Sequence, residues 1–391
     1  MRSKYLILLT TVWFTQSLAI TLPSQTIYSY ECKQCESLSH DDLNSSWPTD
    51  DNNLEEKVMH QQSSRKYQIK ATPQQLKNGI AIHTQAPGAV IHVSSTNSTL
   101  TASPNFYIKN SQGKQFSLQE ASSLFSKNEA LKDTAFAGQL LALQLKPELG
   151  AGKFIISSSQ SIDSNGSFII QVYDKNAPTY LNIETDKARY HYGDKLQVTI
   201  KLSDDEFNYP IDDISATLVN PNGEVTSLNL EQLSNNLYQA QIDLLSDKNA
   251  QGENWYVAVE TSTQIADEII TRQAHTAFSY VIPSATIHKI RALQNEPLSF
   301  YAKVEVATGS RYALEAVLFG SDSEGKIHPI TAVQSATWLS QGKHTINFAF
   351  DSNLKTGYKA PYYLGYLHLI DFGQLKPVYE YNTPIELTTL G

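Results

Sequence analysis

The sequence predicts an all-β protein of three tandem antiparallel β-sandwich domains of the immunoglobulin-like type, the first with a short helical insertion. Three observations indicate this fold class. Apolar and polar residues alternate from Leu196 to Leu202, which is the period of a strand with one buried face. Asn220 to Gly223 offers a tight turn between two such runs. Seven short strand candidates lie between residues 177 and 283, as in an immunoglobulin-like sandwich.

Composition supports several packed cores. Of the 391 residues, 41 % are hydrophobic and 18 % are charged, which is a globular and not a disordered composition. At roughly 100 to 200 residues per domain, this length allows two to four domains. The formal net charge is -9, and nucleic acids and anionic membrane surfaces both require a basic face. We therefore expect neither of them as a partner.

Residues 1–19 are predicted to be a signal peptide. Arg2 and Lys4 precede an apolar stretch over residues 5–14, and small residues up to Ala19 provide a cleavage site. The apolar stretch is shorter than the roughly 20 residues that a helix needs to cross a bilayer, and no later stretch is long enough. The expected mature protein is secreted, in the periplasm or outside the cell, with no membrane span.

Residues 20–65 are polar and acidic without sustained periodicity, which predicts a mobile leader or linker. Trp47 is its isolated apolar residue, and we expect it to dock onto the first domain. Cys32 and Cys35 favour a small disulfide loop in an oxidising compartment. Two alternatives stay open. Zinc would need about two more ligands, and a redox motif would need a helix start after a strand.

The first domain is predicted over residues 66–176. Ser117 and Glu120 match a capping box, and Ala121, Leu124 and Phe125 fall on one helical face, which predicts a helix over Leu118–Asn128. Its strand candidates are 80–84, 89–94, 105–110, 138–145, 152–159 and 167–174.

The second domain is predicted over residues 177–283, because Ala177-Pro178 favours an extended boundary. The third is predicted over 284–391. Its run from Tyr362 to Ile370 is almost continuously apolar, which is typical of a strand buried on both faces. The strand candidates of the second domain are 179–184, 195–202, 214–219, 225–230, 236–243, 254–261 and 274–282, and those of the third are 297–306, 310–320, 327–333, 344–350 and 361–371.

Catalytic motifs are missing from the sequence, which contains no GxSxG, HExxH, P-loop or GxGxxG pattern. His83 and His92 alternate with apolar residues and are interpreted as histidines on strand surfaces. His368 precedes Asp371 by three residues, and we interpret this pair as structural. The alternative is a hydrolase site in the third domain.

Two groups of residues are candidates for binding. Exposed aromatic rings can stack on sugars or anchor protein partners, although tyrosines also fill strand pairings. Carboxylates that converge on one loop can bind calcium, although a solvated charge run is our preferred interpretation. The aromatic candidates are Tyr358, Tyr362, Tyr363, Tyr366, Tyr379 and Tyr381, and the acidic ones are Asp204, Asp205, Glu206, Asp212 and Asp213.

Several segments resemble known families. RYHYGDKLQVTIKL, with NPNGEV, LYQAQIDL and NWYVAV, resembles bacterial immunoglobulin-like and macroglobulin-like domains. With SRYALEAVLFG, WLSQGKH and YLGYLHLIDFGQLKPV in the third domain, the whole chain resembles an uncharacterised family of exported gammaproteobacterial proteins. Some members of that family are similar to type II secretion substrates. The resemblance implies the fold and export, and it carries over no catalytic residues.

Together these features predict a monomeric, secreted, non-enzymatic protein without a cofactor, which presents the loops of its sandwiches to a protein or glycan partner. A type II secreted effector fits the resemblance. The alternatives are a hydrolase with an unfamiliar site and a structural module stiffened by calcium.

Overall fold

A computed structural model describes residues 20–49, 60–96, 105–127, 139–159, 166–233, 236–249, 252–294, 296–351 and 357–390. The predicted signal peptide lies outside these residues. The regular structure is nearly all β strand in antiparallel sheets, so the predicted all-β class of tandem sandwiches is confirmed. Within the described residues, no helix has the length and apolar character needed to cross a bilayer.

The described strands and the one α-helix are numbered in chain order. The first part comprises β1 Ile20–Thr21, β2 Leu43–Pro48, β3 Gln61–Ser64, β4 Lys66–Ala71, α1 Pro73–Asn78, β5 Ile80–Thr84, β6 Val90–Ser95, β7 Phe106–Lys109, β8 Gln115–Ser117, β9 Ser122–Lys127, β10 Gln139–Leu145, β11 Gly152–Ser158 and β12 Phe168–Tyr173. The middle part comprises β13 Tyr180–Thr185, β14 Arg189–His191, β15 Lys195–Ser203, β16 Asn208–Tyr209, β17 Asp213–Val219, β18 Val225–Ser227, β19 Leu230–Gln232, β20 Tyr238–Asp243, β21 Trp255–Ile265 and β22 Glu268–Val281. The last part comprises β23 Ala285–Ala292, β24 Ser299–Val306, β25 Ser310–Ser321, β26 Ile327–Leu339, β27 Gly342–Ala349, β28 Lys359–Asp371, β29 Lys376–Tyr381 and β30 Ile385–Glu386, and short 3-10 helices lie at Cys35–Ser37, Pro147–Leu149 and Leu387–Thr389.

The chain divides into two compact units. The inner unit comprises residues 57–245 and 254–280, and the terminal unit comprises residues 1–56, 246–253 and 281–391. Residues 246–253 are held in the terminal unit by several hydrogen bonds, including one from Asn249 Nδ2 to Gln374 Oε1 at 2.9 Å. The backbone N–H of Gly252 donates to the carbonyl of Gln374 at 2.9 Å, and Lys376 Nζ donates to the carbonyl of Glu253 at 2.7 Å.

The described residues of the inner unit form three sheets. A ten-stranded sheet has the order β18-β17-β21-β22-β4-β12-β6-β10-β9, with β14 paired to β22. A four-stranded sheet, β5-β11-β7-β8, packs on one half of it around a core that includes Ile82, Ile91, Phe154 and Ile170. A six-stranded sheet, β19-β20-β15-β13-β3 with β16 on β15, contributes buried side chains such as Val198.

The terminal unit is a sandwich of two sheets. The first has the order β1-β23-β24-β27, and the second has the order β2-β26-β25-β28-β29 with β30 on β28. Val304 and Phe348 of the first sheet share one apolar core with Leu314 and Leu369 of the second. Alternation is clear in β24 and β27, which bury every second side chain, whereas the central strand β25 is buried on both faces.

The helix predicted over Leu118–Asn128 is wrong for its described residues. The capping contacts do form, because the Ser117 Oγ accepts from the Glu120 N–H at 3.2 Å and the Ser117 N–H donates to Glu120 Oε2 at 2.9 Å. A single turn follows, and β9 then pairs with β10. A capping box satisfies the free backbone N–H groups of the first turn only. Beyond that turn, pairing with β10 stabilises a strand in place of the helix. Among the described residues of this domain, the α-helix is α1.

The prediction of a mobile leader is wrong for residues 20–49. β1 pairs with β23, and β2 pairs with β26 at the edge of the six-stranded sheet of the terminal unit. Trp47 lies opposite Ala332 of the third domain, and not on the first domain. The sequence could not indicate this, because the open sheet edge that orders β2 lies almost 300 residues away.

Candidate functional site

A groove of about 770 Å³ lies in the inner unit where β22 meets β4. Its floor follows one row of directly paired residues across five strands. The pairs run from Ser215 to Glu260, from Glu260 to Gln273, from Gln273 to Lys66 and from Lys66 to Tyr173. Because paired residues project to the same side of a sheet, these five side chains form one continuous surface, which we call the groove row.

Strand periodicity explains why the row is polar. In β4, Lys66 and Gln68 are exposed, whereas the intervening Tyr67 is 4 % exposed. In β21, Glu260 is exposed between the buried Val259 and Thr261. Each strand therefore presents polar residues to the groove and apolar ones to the core beneath it.

The junction of the two sheet halves depends on Gln273. β22 and β4 share the single register pair of Gln273 with Lys66. Beyond it, the Gln273 side-chain amide accepts from the Gln68 N–H at 2.8 Å and donates to the Gln68 carbonyl at 3.3 Å. Ser64 Oγ also donates to the Gln273 carbonyl at 2.6 Å. The Gln273 side chain thus replaces the next pair of backbone hydrogen bonds between β22 and β4. The two strands can therefore diverge while the backbone groups of Gln68 stay hydrogen-bonded.

Aromatic and basic groups lie at one end of the row. Tyr173 is 39 % exposed, and Lys66 Nζ lies 5.1 Å from the centroid of its ring. Beside the row, the rings of Tyr256 and His275 meet edge to face at 5.9 Å. One wall of the groove is formed by β3, the outermost strand of the six-stranded sheet.

A buried ion pair lies under the groove. Arg272 Nη2 is 3.5 Å from Asp174 Oδ2, and both side chains are 1 % exposed. Arg272 Nε also donates to the Thr179 carbonyl at 3.1 Å, and Nη2 donates to Gln85 Oε1 at 2.6 Å. Burial raises the pKa of Asp174 and lowers the pKa of Arg272. These bonds hold the ends of the first and second domains together.

A smaller cavity of about 340 Å³ adjoins the groove. It shares Gln68 and Glu260 with the groove and adds Lys70 and His83 to the lining. Burial, together with the nearby Lys153, lowers the pKa of His83. His83 is therefore a neutral hydrogen-bonding group at neutral pH.

The six tyrosines proposed from the sequence do not form one surface. Tyr379 is 5 % exposed and donates to the Pro23 carbonyl at 2.9 Å. Tyr362 and Tyr381 pack against the apolar core, whereas Tyr363 lies opposite Phe319 on the other face of the sheet. Tyr358, Tyr363 and Tyr366 are half-buried. Neighbours in a strand point to opposite faces, so sequence proximity does not make a patch.

The five acidic residues do not form a metal site. Among the described residues, no three or more His, Cys, Asp and Glu side chains are grouped so that they could hold a metal ion. Asp204 Oδ1 accepts from the N–H groups of Glu206 and Phe207 at 2.8 and 2.7 Å, and Asp212 Oδ2 accepts from the Gln264 N–H at 2.8 Å. Hydrogen bonds, first from the Tyr209 hydroxyl, lower the pKa of Asp204. Asp204 therefore stabilises a turn, and Asp212 stabilises the end of β21.

His368 and Asp371 are not a catalytic pair. They occupy opposite faces of β28, because His368 pairs with Glu315 and Asp371 pairs with Tyr312. His368 Nε2 lies 3.0 Å from Asn382 Oδ1 and 3.8 Å from Glu380 Oε1. Their arrangement offers no shared pocket for a substrate.

Asp371 is instead the centre of a closed polar cluster. It is 0 % exposed and accepts hydrogen bonds from the Tyr30 hydroxyl at 2.9 Å, the Ser284 Oγ at 2.6 Å and the Ser310 Oγ at 2.6 Å. Burial and the Asp371 charge raise the pKa of Tyr30. The disulfide between Cys32 and Cys35 lies beside this cluster, and Cys35 is 2 % exposed.

Comparison with protein families gives three adjoining matches. Models of the N-terminal, central and C-terminal domains of DUF4785, a domain of unknown function, match residues 34–174, 177–281 and 284–388. The crystal structure of a DUF4785 family protein from Legionella pneumophila is similar at 40 % identity and a TM-score of 0.79, over 95 % of this chain and 99 % of that chain. No curated protein matches.

Two further solved structures have low TM-scores. Trypsin-activated alpha-2-macroglobulin from Escherichia coli is 15 % identical with a TM-score of 0.23, over 77 % of this chain and 22 % of that chain. A tetra-tandem repeat from the extending region of a large adhesion protein is 9 % identical with a TM-score of 0.22, over 84 % and 75 % of the two chains.

Proposed function

Since this chain belongs to the DUF4785 family, whose domains have no assigned function, we propose a role from its own groove. The protein is a secreted, non-enzymatic binding protein that holds an extended ligand, a glycan or a protein segment, across its first two domains.

The observation that carries this proposal is the groove row. Neighbouring strands lie about 4.8 Å apart, so four intervals give a row of roughly 19 Å. Along it stand a hydroxyl, a carboxylate, an amide, an ammonium group and a phenol, from Ser215 to Tyr173. Such a row suits a ligand with repeating polar groups better than a compact metabolite, which prefers an enclosed apolar pocket.

The lining argues for binding and against hydrolysis of a glycan. Glycosidases place two carboxyl groups on either side of the bond that they cleave, roughly 5 to 9.5 Å apart. Among the described residues that line the groove, Glu260 is the one carboxylate. His275 is the one imidazole there, and its strand partner is Ala258. The described lining therefore lacks a paired acid and base.

Secretion is part of the proposal. The basic and apolar residues at positions 1–19 support export, and the Cys32–Cys35 disulfide suits an oxidising compartment. We infer the type II route from the resemblance of the third-domain segments alone. Its test is the amount of protein in the medium of a bacterial host with and without a functional type II system.

A binding screen tests the main proposal. Wild-type mature protein, Tyr173→Ala and Gln171→Ala, both at exposed residues of the groove lining, are applied to a glycan array and used in pull-downs from host extracts. Tyr301→Ala is the matched control, because Tyr301 also has a lysine above its ring, Lys303 at 5.6 Å, but lies in the terminal unit. We expect a ligand whose capture falls at least about tenfold in the groove variants and not in the control. Hydrolysis of a captured glycan, or no ligand that depends on the row, would contradict the proposal.

A further inference from the structure

We propose that the ligand of this groove is an acidic glycan, a polysaccharide whose sugar rings carry carboxylates. This inference rests on the proposed binding function and narrows it. The first observation that supports it is the positive charge of the groove lining. Lys66 and Lys70 line the groove and the adjoining cavity, where Glu260 is the one acidic lining residue described. Arg65 also lines the groove, but its guanidinium is already bound within the protein, since Nε donates to the Ala177 carbonyl at 2.7 Å and the group lies over the Tyr180 ring. A basic cleft on a chain of net charge -9 concentrates anions where the rest of the surface repels them.

The basic groups are set along one strand face. Lys66, Gln68 and Lys70 alternate with Tyr67 and Ile69 in β4, so they project to the same side. Four residue steps along the strand separate Lys66 from Lys70, which places their Cα atoms roughly 13 Å apart. Lys66 in the groove row and Lys70 in the adjoining cavity can therefore contact two different carboxylates of one polysaccharide chain.

Amide side chains between the lysines suit sugar hydroxyls. Gln68 is paired with Gln171 of β12, and both are exposed. Each glutamine side chain offers donors and an acceptor, and a hydroxyl group is both donor and acceptor. A polyhydroxylated ring can satisfy these groups in several orientations, which a simple inorganic anion cannot.

Tyr173 supplies a surface for the ring itself. It is 39 % exposed, and the Lys66 ammonium lies 5.1 Å from its centroid. The apolar face of a pyranose can lie on such a ring while a carboxylate on the same sugar reaches Lys66. The pairing of an aromatic ring with an adjacent ammonium selects a charged sugar over a neutral one.

The lining does not favour a protein partner. Protein interfaces depend on apolar or aromatic anchors in dry pockets. Among the apolar lining residues, Val259 and Ala274 are buried, at 2 % and 7 % exposure, and Ala258 is half-buried and small. Exposed lysine, glutamine and glutamate side chains cover the floor, and they would lose their hydration without a matching partner.

Titration calorimetry on the mature full-length protein tests the inference. Polygalacturonate, alginate and hyaluronate are the acidic probes, and fully methyl-esterified polygalacturonate and dextran are the neutral ones. We expect at least one acidic polymer to bind at least about tenfold more tightly than the neutral polymers. Binding should weaken at least fivefold in Lys66→Gln and in Lys70→Gln, and between 50 and 500 mM salt. Lys303→Gln, beside Tyr301 in the terminal unit, is the matched control.

Each other result has a separate meaning. Tyr173-dependent binding of only the neutral polymers would overturn the acidic-glycan inference and leave the proposed function standing. Capture of a protein that depends on the groove row, without polysaccharide binding, would also overturn the acidic-glycan inference and leave the proposed binding function standing. If neither polysaccharides nor proteins bind in a way that depends on the row, both proposals fail.

Discussion

Arg272 and Asp174 form an ion pair at 3.5 Å that is sealed beneath the groove, with each side chain 1 % exposed. Asp174 follows the last strand of the first domain, and Arg272 lies in the last strand of the second. Asp174 Oδ1 has no hydrogen-bond partner among the described residues. The pair therefore combines a large desolvation cost with a specific link between two domains.

We expect Arg272→Met to destabilise the inner unit by about 3 to 5 kcal/mol, because it leaves the buried Asp174 charge without its cation and with the Gln85 N–H as a remaining hydrogen-bond donor. Arg272→Met combined with Asp174→Leu should recover much of that loss, since no buried charge remains. Urea denaturation of the full-length variants measures both changes. Equal destabilisation by the single and double variants would show that the buried charge is not the cause.

Gln273→Met should loosen the junction between β4 and β22. Methionine keeps the volume but removes both hydrogen bonds to the Gln68 backbone. Because Gln68 is exposed, water replaces part of the loss, and the expected cost is about 0.5 to 1.5 kcal/mol. Hydrogen exchange at the Gln68 amide should become at least about tenfold faster.

The control for Gln273→Met is Gln241→Met, at an exposed glutamine on β20 of the six-stranded sheet. It should leave exchange at Gln68 unchanged. An unchanged rate in Gln273→Met as well would mean that the side-chain bridge does not protect this part of the sheet.

Lys376 should make the terminal unit more stable as the pH rises. Burial lowers its pKa from 10.5 to about 8, although Glu253 opposes the shift. Between these values the unfolded chain holds the proton and the folded chain does not, so the free energy of unfolding increases with pH. The contribution amounts to roughly 3 kcal/mol over the window.

The test compares wild type with Lys376→Met by urea denaturation between pH 7.5 and 10. The free energy of unfolding of wild type, minus that of the variant, should rise with pH across this interval. A difference that stays flat or falls would show that Lys376 titrates normally in the folded protein.

Gly373→Ala should destabilise the terminal unit. A Cβ at Gly373 would collide with the Tyr30 hydroxyl and with both sulfurs of the Cys32–Cys35 disulfide. Crowding of this kind costs about 1 to 3 kcal/mol, which thermal or urea denaturation can measure. At Gly309 a Cβ would meet the Trp338 ring at an ordinary 3.5 Å, so Gly309→Ala should change stability by less than about 0.5 kcal/mol. Equal effects of the two substitutions would refute the steric explanation.

The strands were predictable because side-chain burial in a sheet repeats every two residues. The predicted segment 195–202 lies within β15, Lys195–Ser203, and its alternation is explained by the buried Leu196, Val198 and Ile200. The same rule could have separated Tyr362 from Tyr363, since adjacent strand residues face opposite sides. The side of the sheet that Tyr366 faces could not be predicted. Its φ of 52° belongs to a register irregularity in the pairing of β25 with β28, and the local sequence contains no signal for it.

The groove row could not be predicted from the sequence. The exposed face of β4 can be read from the alternation of Lys66, Gln68 and Lys70. The pairing of Lys66 with Gln273, however, joins positions more than 200 residues apart. Register between such distant strands follows from the packing of whole domains, and a single sequence carries no local signal of it.

Strand β3 has a practical consequence for anyone who divides this protein into pieces. It precedes the first sandwich in the chain, yet Gln61 to Ser64 complete the sheet of the second by pairing with β13. A gene fragment that starts at residue 177 would lack β3, the outermost strand of that sheet. A fragment that stops at residue 176 would contain β3 but not its partner β13. An exposed sheet edge with unpaired backbone groups promotes aggregation. The first two domains should therefore be cloned and purified together.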